Sequence, residues 1–133
     1  MILDTGVLIS IDRREPAAGA VTRWTDEDDL ALHTSEAVVA QVWRDGARQA
    51  VLAAFLRTVE IHALDDGRAV GRLLRASGTS DVVDAHLGLL ARELNDDILT
   101  GDVDDLTRVV AALEPPPVPL LRPLAVHPWP PGP

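Results

Sequence analysis

The 133-residue chain has no cysteine, which excludes a disulfide, a thiolate nucleophile and a cysteine-ligated zinc. It also has no apolar run near the eighteen or so residues that a membrane span needs. No basic stretch precedes an apolar core at the N-terminus, so no signal peptide is expected. A cytoplasmic protein with no membrane contact is the expectation. Lysine is missing as well, and all 12 basic residues are arginine. Arginine suits bidentate contacts with carboxylate or phosphate, although a biased genome gives the same count and is the plainer reading. Positive charge is scarce altogether. The formal net charge of −9 argues against a protein that holds nucleic acid by its overall field.

Several chemistries are missing as motifs. No G-x-x-x-x-G-K-[ST] loop and no G-x-G-x-x-G after a strand is present. No G-x-S-x-G elbow marks a serine hydrolase. His33, His62, His86 and His127 show no H-x-x-x-H or H-x-x-H spacing, so a zinc site is not expected. A phosphotransferase with an aspartate nucleophile resembles D-x-D, and after Asp4 the second acid's place is taken by Gly6.

What remains is a chain with 47% apolar residues, enough for one globular domain. Short β-like runs alternate with helical stretches, the signature of an α/β domain with a mostly parallel sheet. Strands are expected near 1–4, 30–34, 59–64, 97–100 and 118–121. Helices are expected over 5–12 and 16–29, after a cap at Thr34 or Ser35 with Gly46 as stop, and over 47–58. Further helices fall over 65–77 closed by Gly78, from a Ser80 cap through "SDVVDAHLGLLAREL", and from Asp102 onward. The last stretch, "RPLAVHPWPPGP" (122–133), is proline-rich and expected to stay extended outside regular structure.

The acids hold the functional signal. Asp4 and Asp102 each follow a predicted strand at its carboxyl end, the edge where open α/β sheets bind ligands. Asp81 and Asp84 are three apart and share a helix face. Each has a bland explanation as an N-cap or a first-turn acid. Asp12, the acids of 26–29, Asp65, Asp66, Asp96 and Asp97 read as solvated surface. Four carboxylates converging on one edge are harder to dismiss. Two unit charges about 4 Å apart repel by about 4 kcal/mol at an effective dielectric near 20. Such a cluster needs a cation, and oxygen-only ligands select Mg²⁺ or Mn²⁺.

Three segments together resemble the PIN domain, and in particular its VapC-type toxins: "ILDTGVLI" at the start, "DAHLGLLA" (84–91) and "LTGDVDDL" (99–106). The likeness spans about 1–121 as one PIN-like domain and leaves the tail at 122–133 uncovered. It implies a three-layer α/β fold, with a central mostly parallel sheet of four to five strands flanked by helices. It also implies a Mg²⁺- or Mn²⁺-dependent endoribonuclease, the toxin of a type II toxin–antitoxin pair. Asp4, Asp84 and Asp102 take the positions of the catalytic, metal-binding carboxylates, with Asp81 and Asp105 as outer members. The family's further Glu, on the helix after the second strand, is replaced here by Gln41, because Glu36 lies one turn too early. Gln41 reads equally as a buried, hydrogen-bonded core residue or as a neutral ligand or water-positioner. The stretch "VVAQVWRDGARQ" is similar to a branch of PIN-domain toxins, so the Gln does not by itself imply a dead enzyme. Arg44 and Arg48 are candidates for holding RNA phosphates or the partner, against the commoner reading of solvated surface. The resemblance implies an antitoxin partner and a homodimer. Two alternatives stand beside it: a catalytically weakened PIN-like protein-binding module, and a Mg²⁺-dependent phosphoesterase acting on small phosphates.

Overall fold

The two residues between Met1 and Asp4, Ile2 and Leu3, form the central strand of the sheet and are fully buried. In the computed structural model, which describes residues 1–115 and 123–131, this strand is β1 (Ile2–Leu3). Four more follow in chain order: β2 (His33–Ser35), β3 (Glu60–His62), β4 (Ile98–Thr100) and β5 (Val126–Pro128). They form one five-stranded sheet in the order β3-β2-β1-β4-β5, and every pairing is parallel. Ile2 stands opposite His33 on one side and Ile98 on the other, and Leu3 opposite Leu99. Ile2, Leu3, Ile98 and Leu99 carry apolar side chains without alternation because parallel strands are covered on both faces.

Among the described residues seven helices connect the strands: α1 (Thr5–Asp12), α2 (Ala18–Asp28), α3 (Glu36–Val42), α4 (Ala50–Leu56), α5 (Gly67–Ser77), α6 (Val82–Leu94) and α7 (Val103–Ala111). They fall into two packed groups, α1 against α2, α3 and α4, and α5, α6 and α7 against one another. The architecture is the expected α/β fold with a parallel central sheet, consistent with a three-layer PIN-like arrangement. Leu8 of α1, Leu52 of α4, Leu87 of α6 and Leu106 of α7 are fully buried in the core. No helix among the described residues is long and apolar enough to cross a membrane.

Helix ends follow local chemistry, with some departures from the sequence expectation. Ser35 caps α3, accepting from the Ala37 N–H at 3.0 Å. Gly78 ends α5 with φ +69°, the left-handed conformation that a glycine adopts without steric cost. The helix carrying Asp84 is capped by Asp81 rather than Ser80. Helix α3 ends at Val42, before Gly46, with Trp43 as its C-cap.

The largest departure concerns the C-terminal stretch. The strand expected at 118–121 lies outside the described residues. The proline-rich segment, expected to stay outside regular structure, instead supplies β5, pairing Val126 with Ile98 and His127 with Leu99. Asp97, read as solvated surface, is buried. Its carboxylate accepts from the Ala125 N–H at 3.0 Å and meets His127 Nε2 at 2.9 Å. Trp129 then enters the core, and its indole N–H donates to Ser10 Oγ at 3.0 Å. Pro128 is the last residue of this edge strand, and the N–H that reaches the Thr100 carbonyl is that of Trp129, at 2.7 Å, so the missing donor at Pro128 is tolerated.

Candidate metal centre

Parallel strands all end on the same side of a sheet, and the helices that follow β1 and β4 begin there. Asp4 ends β1 and caps α1, its Oδ1 accepting from the Thr5 N–H at 2.6 Å. Asp102 follows β4 and caps α7, accepting from the Asp105 N–H at 3.4 Å. The last residue of β4, Thr100, joins the two. Its hydroxyl donates to Asp4 Oδ2 and accepts from the Asp102 N–H at 2.9 Å. Thr100, 96 positions from Asp4 along the chain, thus ties the two acids together through one side-chain oxygen.

Helix α6 brings the remaining acids. Asp81 spends its Oδ1 on capping, accepting from the Val83 and Asp84 N–H groups at 2.8 and 3.1 Å. Asp84, in the first turn, is buried at 5% exposure. Its Oδ2 is buried with no hydrogen-bond partner among the described residues. A buried polar atom left unpaired costs about 1–3 kcal/mol, more when charged. One carboxylate oxygen each from Asp84, Asp102 and Asp105 lie within 4.8 Å of one another.

Electrostatics follow from this crowding. Burial pushes the Asp84 carboxyl up from 3.8 to about 7, with Asp81, Asp4, Asp102 and Asp105 adding repulsion in that order. The Asp105 carboxyl is also raised, first by its hydrogen bond to Asp102 and then by the charge of that neighbour. The N-termini of α6 and α7 direct positive dipole ends at the cluster and offset part of the repulsion. The donor set is all oxygen, and the unpaired Asp84 Oδ2 has a lone pair to give. These residues fit a hard divalent cation such as Mg²⁺ or Mn²⁺.

The five acids singled out in the sequence are therefore distributed unequally. Asp84, Asp102 and Asp105 form the tight set, so Asp105 stands inside it rather than outside. Asp4 is close enough to raise Asp84, but both of its oxygens accept hydrogen bonds, from Thr5 and Thr100. Asp81 caps its helix and acts on Asp84 through charge. Gln41, in the last turn of α3, is exposed, so the buried-core reading does not describe it. Its Oε1 accepts from the Thr5 hydroxyl, which places it beside the α1 N-terminus that Asp4 caps. Arg44 folds back to donate to the carbonyls of Ala40 and Trp43 at 3.1 and 2.6 Å. Arg48 is highly exposed and lies 3.7 Å from Asp45. Both arginines are engaged locally.

Thr100 and Thr5 were not legible as site residues. Thr100 stands two before Asp102, a spacing that suits a local hydroxyl-to-N–H turn. Nothing local signals its bond to Asp4. At Gly6, where the PIN pattern more often has Asn or Ser, an added Cβ would meet Trp129 Cδ1 at 3.8 Å, an ordinary contact. No family model matches the chain, and no curated protein matches it significantly.

Proposed function

We propose that this chain is a metal-dependent ribonuclease of the PIN, VapC-like type, hydrolysing RNA phosphodiester bonds as the toxin of a toxin–antitoxin pair. The observation that carries the reading is the buried Asp84 carboxyl, whose Oδ2 is unpaired and one of whose oxygens lies within 4.8 Å of a carboxylate oxygen of both Asp102 and Asp105, in a parallel α/β fold consistent with a PIN domain. Asp84, Asp102 and Asp105 would hold the cation. When bound, Mg²⁺ or Mn²⁺ activates a water and offsets charge on phosphoryl oxygens. The rest is the work of the chain's own groups. Asp4, through Thr100, holds the Asp102 backbone and so aims its carboxylate. Asp81 fixes the first turn of α6 and with it the direction of Asp84. Gln41 orients the Thr5 hydroxyl at the rim. No side-chain nucleophile is required, which suits a chain without cysteine.

In this reading the protein works in the cytoplasm, forms a homodimer and is restrained by an antitoxin. A basic segment of that antitoxin, most simply an arginine, would occupy the acidic centre with charge-assisted bidentate bonds. A second reading is favoured by Gln41, which stands where the PIN pattern has a Glu: a PIN-like module that binds a protein without cutting RNA.

The test is cleavage of a mixed RNA pool by the purified chain with Mn²⁺, alongside Asp84→Asn and Asp102→Asn. Cleavage by the wild type alone supports the nuclease. Metal-independent cleavage, or cleavage that survives both substitutions, sinks it. A stable complex with the product of a neighbouring reading frame, with no cleavage by the free chain, would favour the binding module.

A further inference from the structure

The outer edge of the sheet carries a second convergence of donor atoms, away from the acids. Parallel pairing of β2 with β3 sets His33 opposite Glu60 and Ser35 opposite His62. Glu60 and His62 are two apart on one strand and therefore share a face. On that face the His33 Nδ1 lies 3.0 Å from His62 Nε2 and 3.4 Å from Glu60 Oε2. The His62 Nε2 lies 3.9 Å from Glu60 Oε1. The two rings are tilted by 37° with centroids 5.2 Å apart, so they meet through ring nitrogens rather than stacked faces.

We propose that His33, His62 and Glu60 bind a late first-row divalent metal ion of the zinc class. Ligands about 2.0–2.1 Å from a tetrahedral ion stand roughly 3.3–3.4 Å from one another. The observed separations, 3.0 to 3.9 Å, bracket that value. Two imidazoles and one carboxylate favour Zn²⁺ over Mg²⁺, the reverse of the all-oxygen centre. The His33 and His62 side chains are 12% and 20% exposed and Glu60 67%, which leaves one side open for a water or an incoming group as fourth ligand. A plain hydrogen bond between the rings would account for the two nitrogens. The carboxylate within 4.0 Å of both adds a third donor that such a hydrogen bond does not use. Spacing along the chain points away from zinc because the three residues come from two strands, and only their parallel register unites them. An ion there would clamp β3 to β2, whose last residue Ser35 caps the helix that carries Gln41.

This site is independent of the nuclease reading, and its test separates the two. Co²⁺ is titrated into the metal-free full chain, and the visible absorption of four-coordinate Co²⁺ is followed, then displaced with Zn²⁺. The wild type and Asp84→Asn should both develop the absorption and lose it to Zn²⁺. His62→Ala should lose it. Glu60→Gln alters an exposed side chain, keeps the fold if His62→Ala does not, and should lose or weaken the absorption. The proposal is overturned if the wild type gives no such absorption. It is equally overturned if the signal survives both His62→Ala and Glu60→Gln, or disappears only in Asp84→Asn. The edge would then hold an imidazole–imidazole hydrogen bond only.

Discussion

Gly88 on α6 lies so close to Val109 on α7 that a Cβ on the glycine would stand 2.5 Å from the valine Cγ1. Val109 is fully buried, and its short branched side chain has nowhere to swing. This contact sits one helical turn beyond Asp84 on α6 and one turn beyond Asp105 on α7. The close approach of the two helices therefore sets how near their first-turn acids come. Gly88→Ala must push the helices apart. The expected cost is about 1–3 kcal/mol, as for other overpacked cores, with weaker Mn²⁺ binding. Urea unfolding and calorimetric titration read the two effects. Unchanged Mn²⁺ affinity in a destabilised variant would show that helix spacing does not tune the acids.

Asp84→Asn removes one charge from the cluster and one anionic ligand. Mn²⁺ binding and RNA cleavage should both be lost, while the melting temperature in chelator holds or rises. A variant that unfolds, or that cleaves RNA like the wild type, contradicts the assignment.

The same carboxyl gives the metal-free protein a pH signature. Its folded pKa is raised from 3.8 to about 7, so the folded chain holds that proton more tightly than the unfolded chain does. The resulting stabilisation is fully present below about pH 4 and is lost as pH rises through 7. At about 1.4 kcal/mol per pKa unit it amounts to at most about 4 kcal/mol. Burial holds the His33 and His86 rings below their ordinary values, and they oppose this trend as pH falls below the histidine range. The clean readout is the difference between wild type and Asp84→Asn. In chelator, the variant's stability advantage should grow from pH 4 to pH 7 and then level off.

Gln41→Glu tests the residue that departs from the PIN pattern. The side chain is exposed and accepts a hydrogen bond from Thr5, which a carboxylate accepts equally well. Stability should change by no more than about 0.5 kcal/mol, as at other surface sites. Mn²⁺ binding should tighten as a further anionic oxygen joins the rim. Unchanged affinity on calorimetric titration would remove Gln41 from the site.

Trp129 anchors the C-terminal strand through its indole and its backbone N–H, which donates to the Thr100 carbonyl at 2.7 Å. Trp129→Ala should destabilise the chain by about 3–5 kcal/mol, the usual loss for a buried aromatic. Urea unfolding checks this. A change near zero would mean that the tail lies outside the cooperative unit.

Residue pattern alone was enough for the α/β class, because an apolar strand, a capped helix and their alternation are local properties of sequence. Asp4 and Asp102 were legible as strand-end acids because each sits at an element boundary that its neighbours mark, and Asp84 as the acid one turn beyond Asp81 on the same helix face. The tail was misjudged because proline content describes the chain's own preferences. The Asp97 carboxylate and the slot over Ser10 that draw it into the sheet are supplied by distant segments. Tertiary structure alone decided that Asp105 joins the tight set, that Thr100 bridges Asp4 to Asp102, and that Gln41 faces outward. It alone brought His33 to Glu60 and His62. These are contacts between residues far apart in the chain. Strand register and helix packing determine them, and neither is written in any local window of the sequence.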